Sequence, residues 1–145
     1  MQRAKLPFHE PSSVVSFYLT LPLFFNPAPG QLQGEAISSE LLESVADTLA
    51  ETFGGVTVED NRYGVSVYPD PEVAGKRVRY RDYERRFIVD VPISQTAQAF
   101  EFYSQWCSLW AQQFKQRELY LKIIMPDAIW IMRFPPSDAL SDQAA

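Results

Sequence analysis

Apolar and polar residues alternate through the segment from Val14 to Phe25. The apolar positions are Val15, Phe17, Leu19, Leu21, Leu23 and Phe25. This period of two predicts a long strand with one buried face. Because Pro22 has no amide hydrogen, it predicts an edge, a bend or a bulge in the second half of that strand. The turn-forming residues Asn26 to Gly30 then end the segment.

The next segment, Ser38 to Gly55, has the spacing of a helix. Its apolar stripe consists of Leu42, Val45, Ala46, Leu49 and Phe53. Ser38 is a favoured N-cap residue, and the glycines Gly54 and Gly55 suit the C-cap. The opposite side carries the acidic residues Glu40, Glu43, Asp47 and Glu51. A solvated helix face accounts for them.

Two strands are predicted in the middle of the chain. Val56 to Tyr68 forms either two short strands around the turn-forming residues Glu59 to Asn61 or one strand with a bulge. After a loop rich in proline and glycine, Val78 to Val91 predicts the next strand. Its buried face consists of Phe87, Val89 and Val91. The alternation of apolar and polar positions carries both predictions.

A second helix and two final strands complete the pattern. The helix runs from about Gln95 to Lys115, and its core stripe consists of Phe100, Tyr103, Cys107, Trp110 and Phe114. Leu119 to Ile124 and Ala128 to Phe134 then predict two strands, joined by a turn at Pro126-Asp127.

The order of these elements predicts an α+β chain. It matches a ferredoxin-like β-α-β-β-α-β two-layer sandwich with an added C-terminal strand, in which both helices cover one face of an antiparallel sheet. We expect an N-terminal arm at residues 1–12, a single α+β domain at 13–134 and a flexible tail at 135–145.

Several short motifs recur in the order that one group of proteins shows. A helix ends in Phe-Gly-Gly-x-Thr, here Phe53 to Thr57, and is followed by Tyr63-Gly64, by Tyr80-Arg81-Asp82 and by the step from Phe114 to Glu118. With these motifs, Ser38 to Ile124 resembles a group of small uncharacterised bacterial α+β proteins of ferredoxin-like fold. These motifs mark the ends of helices and strands and contain no catalytic signature. The resemblance therefore implies the fold and carries over no catalytic residue.

The net charge narrows the classes of partner. A formal charge of -5 and a pI near 4.8 favour solubility, and they disfavour a general affinity for nucleic acid or for anionic membranes. The single cysteine, Cys107, forms no internal disulfide, so the chain is expected in the cytoplasm. The apolar run from Val14 has about the length of a signal h-region. However, Glu10 and Pro11 interrupt the segment that precedes the run, and the run is too short to span a bilayer. A buried strand therefore explains it better than a signal peptide does.

The residues that most often carry catalysis are scarce. The only histidine, His9, lies in the N-terminal segment, and a metal site needs several converging donors. Cys107 falls among aromatic residues, where burial disfavours a thiolate. Gly54-Gly55 follows a helix, whereas phosphate-binding glycines precede one. We therefore predict no catalytic residue, no metal and no cofactor, and we favour a non-enzymatic role without excluding an enzyme.

One segment concentrates positive charge. Lys76 to Arg86 holds six of the 13 basic residues of this acidic chain. On a strand, alternate arginines share one side, interleaved with tyrosines. The candidate binding residues are Arg77, Arg79, Tyr80, Arg81, Tyr83 and Arg85. Three explanations stay open: an edge that is solvated or paired within the chain, contact with an acidic protein or anionic ligand, and nucleic acid.

The second helix carries more apolar surface than one sheet face requires. Phe102, Trp106 and Leu109 lie beside its core stripe. An aromatic surplus of this kind is typical of an oligomer interface, although the N-terminal arm or the C-terminal strand is able to cover it within the chain. We therefore predict a homodimer.

These observations leave three functional hypotheses. The first is a non-catalytic interaction or assembly module that binds another protein. The second is a small-molecule regulator, or a cofactor-independent enzyme of the dimeric ferredoxin-like type. Its predicted site consists of Tyr63, Tyr68, Tyr80, Arg79 and Arg81. The third is single-stranded nucleic-acid binding, which the acidic composition disfavours.

Overall fold

The computed structural model describes residues 13–31, 33–70 and 72–137. The predicted N-terminal arm, with His9, lies outside the described residues, as do residues 138–145 of the predicted tail.

Five strands and two helices form the described chain. In order they are β1 (Val14–Pro22), α1 (Ser39–Phe53), β2 (Thr57–Pro69), β3 (Arg77–Pro92), α2 (Thr96–Gln113), β4 (Leu119–Ile124) and β5 (Ile129–Phe134). A short 3-10 turn, Ile93–Gln95, precedes α2. The strands lie in the order β2-β3-β1-β4-β5, and every neighbouring pair is antiparallel. The predicted α+β class, with an antiparallel sheet and two helices, is confirmed.

The first strand ends earlier than its alternation predicts. β1 stops at Pro22, and the prediction that it continues to Phe25 is wrong. Pro22 has no amide hydrogen to continue a ladder. The Leu23 amide donates to the Tyr83 carbonyl at 2.8 Å. Beyond it, the Phe25 amide donates to the Glu35 carbonyl and the Ile37 amide donates to the Leu23 carbonyl, so these residues form a separate small ladder.

The core lies on one face of the sheet. Alternate residues of β1, β3 and β4 enter a single buried cluster, together with the apolar stripes of both helices. Phe17 is fully buried, and its ring stacks on Tyr103 of α2 with 4.9 Å between the ring centroids. The other face of the sheet is half-buried or exposed. Both helices therefore cover the same face.

The ends of α1 form at the predicted residues. The Ser38 hydroxyl accepts a hydrogen bond from the Leu41 amide at 3.2 Å, which satisfies one of the free amides of the first turn. Gly54 has φ of 87°, the left-handed conformation that favours glycine at a helix C-cap.

β2 and β3 form a hairpin that projects beyond the rest of the sheet. β2 is one strand with a register shift between Glu59 and Arg62, which confirms the alternative of a single strand with a bulge. β1 pairs with β3 only from Glu84 onward. Apart from the hydrogen bond that the Leu23 amide donates to the Tyr83 carbonyl, the preceding part of β3 pairs with β2 alone. We call residues 63–83 the arm, of which the structure describes 63–70 and 72–83.

Candidate functional site: the arm

The candidate arginines follow one face of β3. Because side chains alternate across a strand, Arg77, Arg79 and Arg81 point to the same side as Phe87, which enters the core. Near Phe87 the helices cover this face, but the arm extends past the point where β1 ends. The outer arginines therefore lie on a part of the face that the core does not use.

The arginines nearest the core are paired within the chain. Arg85 lies 2.5 Å from a carboxylate oxygen of Asp60 and 3.9 Å from one of Glu43 on α1. Arg86 points to the other face of the sheet, where it lies 3.4 Å from Glu59 and over the ring of Tyr18. Both side chains are largely covered. Internal pairing therefore accounts for Arg85, one of the predicted binding residues.

The outer arginines have a different environment. Arg77, Arg79 and Arg81 are exposed, and no ion pair joins them to any carboxylate among residues 13–31, 33–70 and 72–137. The Arg81 guanidinium lies over the Tyr63 ring, 5.7 Å from its centroid. An exposed ring contact of this kind contributes about 0.5 to 1 kcal/mol and leaves the charge uncompensated. The arm thus carries positive charge that the described chain does not neutralise.

Apolar side chains lie beside these arginines. In the β2–β3 register Val67 is opposite Arg79, Val65 is opposite Arg81 and Tyr63 is opposite Tyr83. Directly paired residues share a face of the sheet, so both sets lie on one surface. Tyr63 is 65% exposed, and Val65 and Val67 are 45% and 44% exposed. For Tyr80, the remaining predicted binding residue, the side chain lies outside the described part of the structure.

The sequence indicated the arginines of this surface but not its valines. Val65 and Val67 belong to an alternating strand, and alternation predicts that apolar side chains face a core. They are exposed because the hairpin projects past β1, so no helix lies over them. The sequence holds no signal for their exposure, because it follows from the pairing of β2 with β3 beyond the last residue of β1, which only the fold shows.

The three residues of the predicted interface on α2 have different surroundings in the structure. Phe102 packs edge-on against Phe53 of α1, with ring centroids 5.0 Å apart, and lies 5.9 Å from Trp106. Both residues are half-buried in this aromatic cluster between the helices. Leu109 is 37% exposed. Part of the apolar surplus of α2 is therefore covered by α1.

The outer face of α1 is uniformly acidic. Its acidic residues Glu40, Glu43, Asp47 and Glu51 are all exposed. The helix contains no lysine, arginine or histidine to balance them. The chain therefore presents one acidic helix and, on a separate surface, the face of the arm that carries Arg77, Arg79 and Arg81; the arm as a whole also contains Asp70, Glu72 and Asp82.

A shallow pocket of about 340 Å³ lies at the base of the arm, lined by Leu23, Phe24, Gln33 and Tyr83. The rings of Phe24 and Tyr83 meet edge to face with 6.1 Å between their centroids. Tyr83 thus lines a concave surface, whereas Arg79 and Arg81 lie on the exposed face of the arm. For Tyr68, predicted for a small-molecule site, the side chain lies outside the described part of the structure.

The groups that titrate abnormally belong to the core. Burial raises the pKa of the Cys107 thiol well above its usual range, and burial followed by the nearby Cys107 raises the pKa of the Tyr103 hydroxyl. Both groups stay protonated near neutral pH, so Cys107 is not a thiolate nucleophile.

The described residues contain no cluster of three or more potential metal ligands. Within the same residues, neither helix has the length and apolar character needed to cross a bilayer.

Replacing Cys107 with alanine should cost stability alone. Cys107 is fully buried, so the lost contacts should lower the free energy of unfolding by about 1 kcal/mol. Urea denaturation checks this value, and binding to any partner should be unchanged. A variant that is folded like the parent but inactive would contradict the packing role.

Comparisons with known proteins identify no family. No protein-family model matches the chain, and no curated protein matches it. Among solved structures, a phage SAM lyase in complex with S-methyl-5'-thioadenosine superposes with a TM-score of 0.57 at 12% identity, over 92% of this chain and 98% of that chain. The apo form of a phage SAM lyase also gives 0.57 at 12% identity, over 90% and 96% of the two chains. This likeness establishes a shared fold.

A third match is weaker. The divalent ion tolerance protein CutA1 from Ehrlichia chaffeensis has a TM-score of 0.40 at 14% identity, over 87% of this chain and 83% of that chain. A superposition at this level carries no conclusion about the chain.

Proposed function

We propose that the chain is a non-catalytic binding and assembly module, a cytoplasmic homodimer that docks an acidic protein surface on its arm. In this proposal, residues 13–134 form a single domain with the ferredoxin-like β-α-β-β-α-β arrangement and an added C-terminal strand. The observed strand order supports this arrangement, because β4, β1, β3 and β2 are neighbours in that sequence and β5 lies outside β4.

One observation carries the proposal. The arm presents three exposed guanidinium groups, with no ion pair to any carboxylate in the described part of the chain, on the same face as three exposed apolar side chains. Arginine and aromatic residues are enriched where proteins bind one another, and arginine forms strong charge-assisted hydrogen bonds to carboxylates. A surface of this composition fits a protein partner with carboxylates around an apolar centre.

Removing two of these arginines tests the proposal. Arg79→Ser and Arg81→Ser together should weaken partner binding, mainly through slower and less salt-sensitive association, because rim charges act on the encounter of two proteins. The melting temperature should change little, since neither arginine has an ion-pair partner in the described residues. Quantitative pull-down at two salt concentrations, with thermal melting, measures both effects.

The matched control removes the same charge elsewhere. Arg117→Ser with Lys122→Ser changes two exposed basic residues outside the arm, and it should leave partner recovery unchanged. If the arm variant recovers the same partners at the same yield as the parent, the arm is not a recognition surface. A fall in stability of about 0.2 to 1 kcal/mol per pair, with binding retained, would instead assign the arginines to pairing within the chain.

A second candidate function rests on the pocket at the base of the arm. Its Phe24 and Tyr83 rings suit a flat, apolar ring system, and ligand sites are commonly concave and aromatic. The phage SAM lyase of the same fold binds S-methyl-5'-thioadenosine, so this thioether nucleoside is a suitable first probe. Native mass spectrometry separates the candidates: a stoichiometric small molecule supports a ligand site, and a co-purified protein supports the module. If calorimetric titration with S-methyl-5'-thioadenosine up to millimolar concentration gives no heat signal, this nucleoside is not a ligand of the pocket.

A further inference from the structure

The arm and the acidic face of α1 have opposite charge but do not meet within one chain. The arm leaves the sheet at the end where α1 begins, and Arg85, at its base, is the arginine that reaches Glu43. Arg79 lies six residues further out, about 20 Å along an extended strand. Asp47 and Glu51 lie further along α1, which runs back over the sheet away from the arm. The two surfaces thus face separate regions of space.

From this arrangement we propose that the arm of one copy docks on α1 of a second copy, while the arm of the second copy docks on α1 of the first. The inference rests on the proposed function, because it names the partner of the same arm. It joins the surfaces predicted separately on the arm and on the helix layer into one interface. The contact is reciprocal, so the assembly closes at two copies and does not propagate into a fibre.

The dimensions of the two surfaces agree. The row from Arg77 to Arg81 spans about 13 Å at the rise of an extended strand. The acidic stripe from Glu43 to Glu51 spans about 12 Å at the rise of an α-helix. The row of arginines therefore matches the acidic stripe in length, with Asp47 and Glu51 as its carboxylates that no arginine of the same chain approaches in the described residues, since Glu43 lies 3.9 Å from Arg85.

The apolar residues of the arm complete the contact. Tyr63, Val65 and Val67 lie on the same face as the arginines and would be covered by the helix layer of the second copy. That layer presents the half-buried Trp106 and the exposed Leu109 beside α1. Charged residues around an apolar centre are the usual anatomy of a protein interface. Each dimer contains two identical contacts of this kind, one for each arm, and this doubles the interface area.

The dimer explains the uneven charge of the chain. A net charge of -5 disfavours self-association, and uniform charge would keep copies apart. Arg77, Arg79 and Arg81 on the exposed arm, opposite a helix whose charged residues are all acidic, turn that repulsion into attraction at one orientation. Because the contact is electrostatic and partly exposed, added salt weakens it.

Charge exchange tests the inference. Arg79→Glu with Arg81→Glu gives an acidic arm facing an acidic helix, and Asp47→Arg with Glu51→Arg gives a basic arm facing a helix that is basic at positions 47 and 51 and keeps Glu40 and Glu43 in its first turns. Light scattering at micromolar concentration should give twice the 16.6 kDa chain mass for the parent and the single-chain mass for each variant alone. An equimolar mixture of the two variants should recover the dimer, because acidic arm then meets basic helix and basic arm meets acidic helix. One chain with all four substitutions should also dimerise.

The controls keep the test decisive. Arg117→Glu with Asp127→Arg exchanges exposed charges away from both surfaces and should leave the dimer intact. If the arm variant unfolds, Arg79→Ser with Arg81→Ser replaces it, and if the helix variant unfolds, Asp47→Asn with Glu51→Gln replaces it. Each replacement alone should dimerise more weakly than the parent, and one that dimerises as tightly as the parent overturns the inference. A parent that is monomeric at micromolar concentration also overturns it, as does a mixture of the two folded charge-exchanged variants that stays monomeric. If the parent is monomeric but arm variants lose another protein in pull-down, the inference and the homodimer both fail, and the arm remains a docking surface for a different protein.

Discussion

Phe17→Ala should lower the free energy of unfolding by about 3 to 5 kcal/mol, the usual range for a fully buried aromatic residue. Phe17 has no exposed surface, and its ring contacts Tyr103 in a stacked pair and Phe100 edge to face. Alanine would leave a cavity where β1 meets α2, and Tyr103 and Phe100 would each lose the contact with the Phe17 ring. Urea denaturation followed by tryptophan fluorescence and circular dichroism measures the loss.

The control for Phe17 lies on the same strand. Val14 is 49% exposed, so Val14→Ala should change the free energy of unfolding by less than about 0.5 kcal/mol. Similar losses for the two variants would contradict the one-sided burial of β1. A loss confined to Phe17 supports it.

Gly34→Ala should destabilise the chain by about 1 to 3 kcal/mol, the cost typical of forcing extra volume into a packed site. A methyl group at Gly34 would overlap the carbonyl oxygen of Phe25, which belongs to backbone and has little freedom to move. The Phe25 amide donates to the Glu35 carbonyl in the same small ladder, so the strain falls on the segment between β1 and α1. Thermal and urea denaturation measure the change.

Gly55→Ala is the matched control for Gly34. A methyl group at Gly55 meets no atom within 4 Å. Its backbone conformation is not left-handed, so alanine should be neutral or should stabilise the chain by about 0.4 to 1 kcal/mol through the unfolded state. Equal effects at both glycines would show that the close approach of Gly34 to Phe25 does not constrain this segment.

The sequence predicted the elements well where periodicity and end signals agree. In α1, Ser38, the apolar stripe and Gly54 all indicate the same helix, and the structure has it from Ser39 to Phe53. In β1 the alternation of apolar residues continues past the end of the strand. The strand ends at Pro22 because proline lacks the amide hydrogen that the ladder needs, and the pattern of apolar residues does not show this. The bulge in β2 was one of two open alternatives, since a short polar run looks alike as a turn or as a register shift.

Sequence alone determined the fold class, the buried faces of the helices and the concentration of arginines in one segment, because periodicity, capping and charge are local properties of the chain. Which arginines are paired was decided by tertiary structure. Arg85 meets Asp60 and Glu43 because the fold brings α1 over the base of the hairpin, whereas Arg79 lies beyond that contact. The exposure of Val65 was likewise decided by how far the hairpin extends past β1, since burial depends on what lies across a strand and alternation reports only which residues share a face.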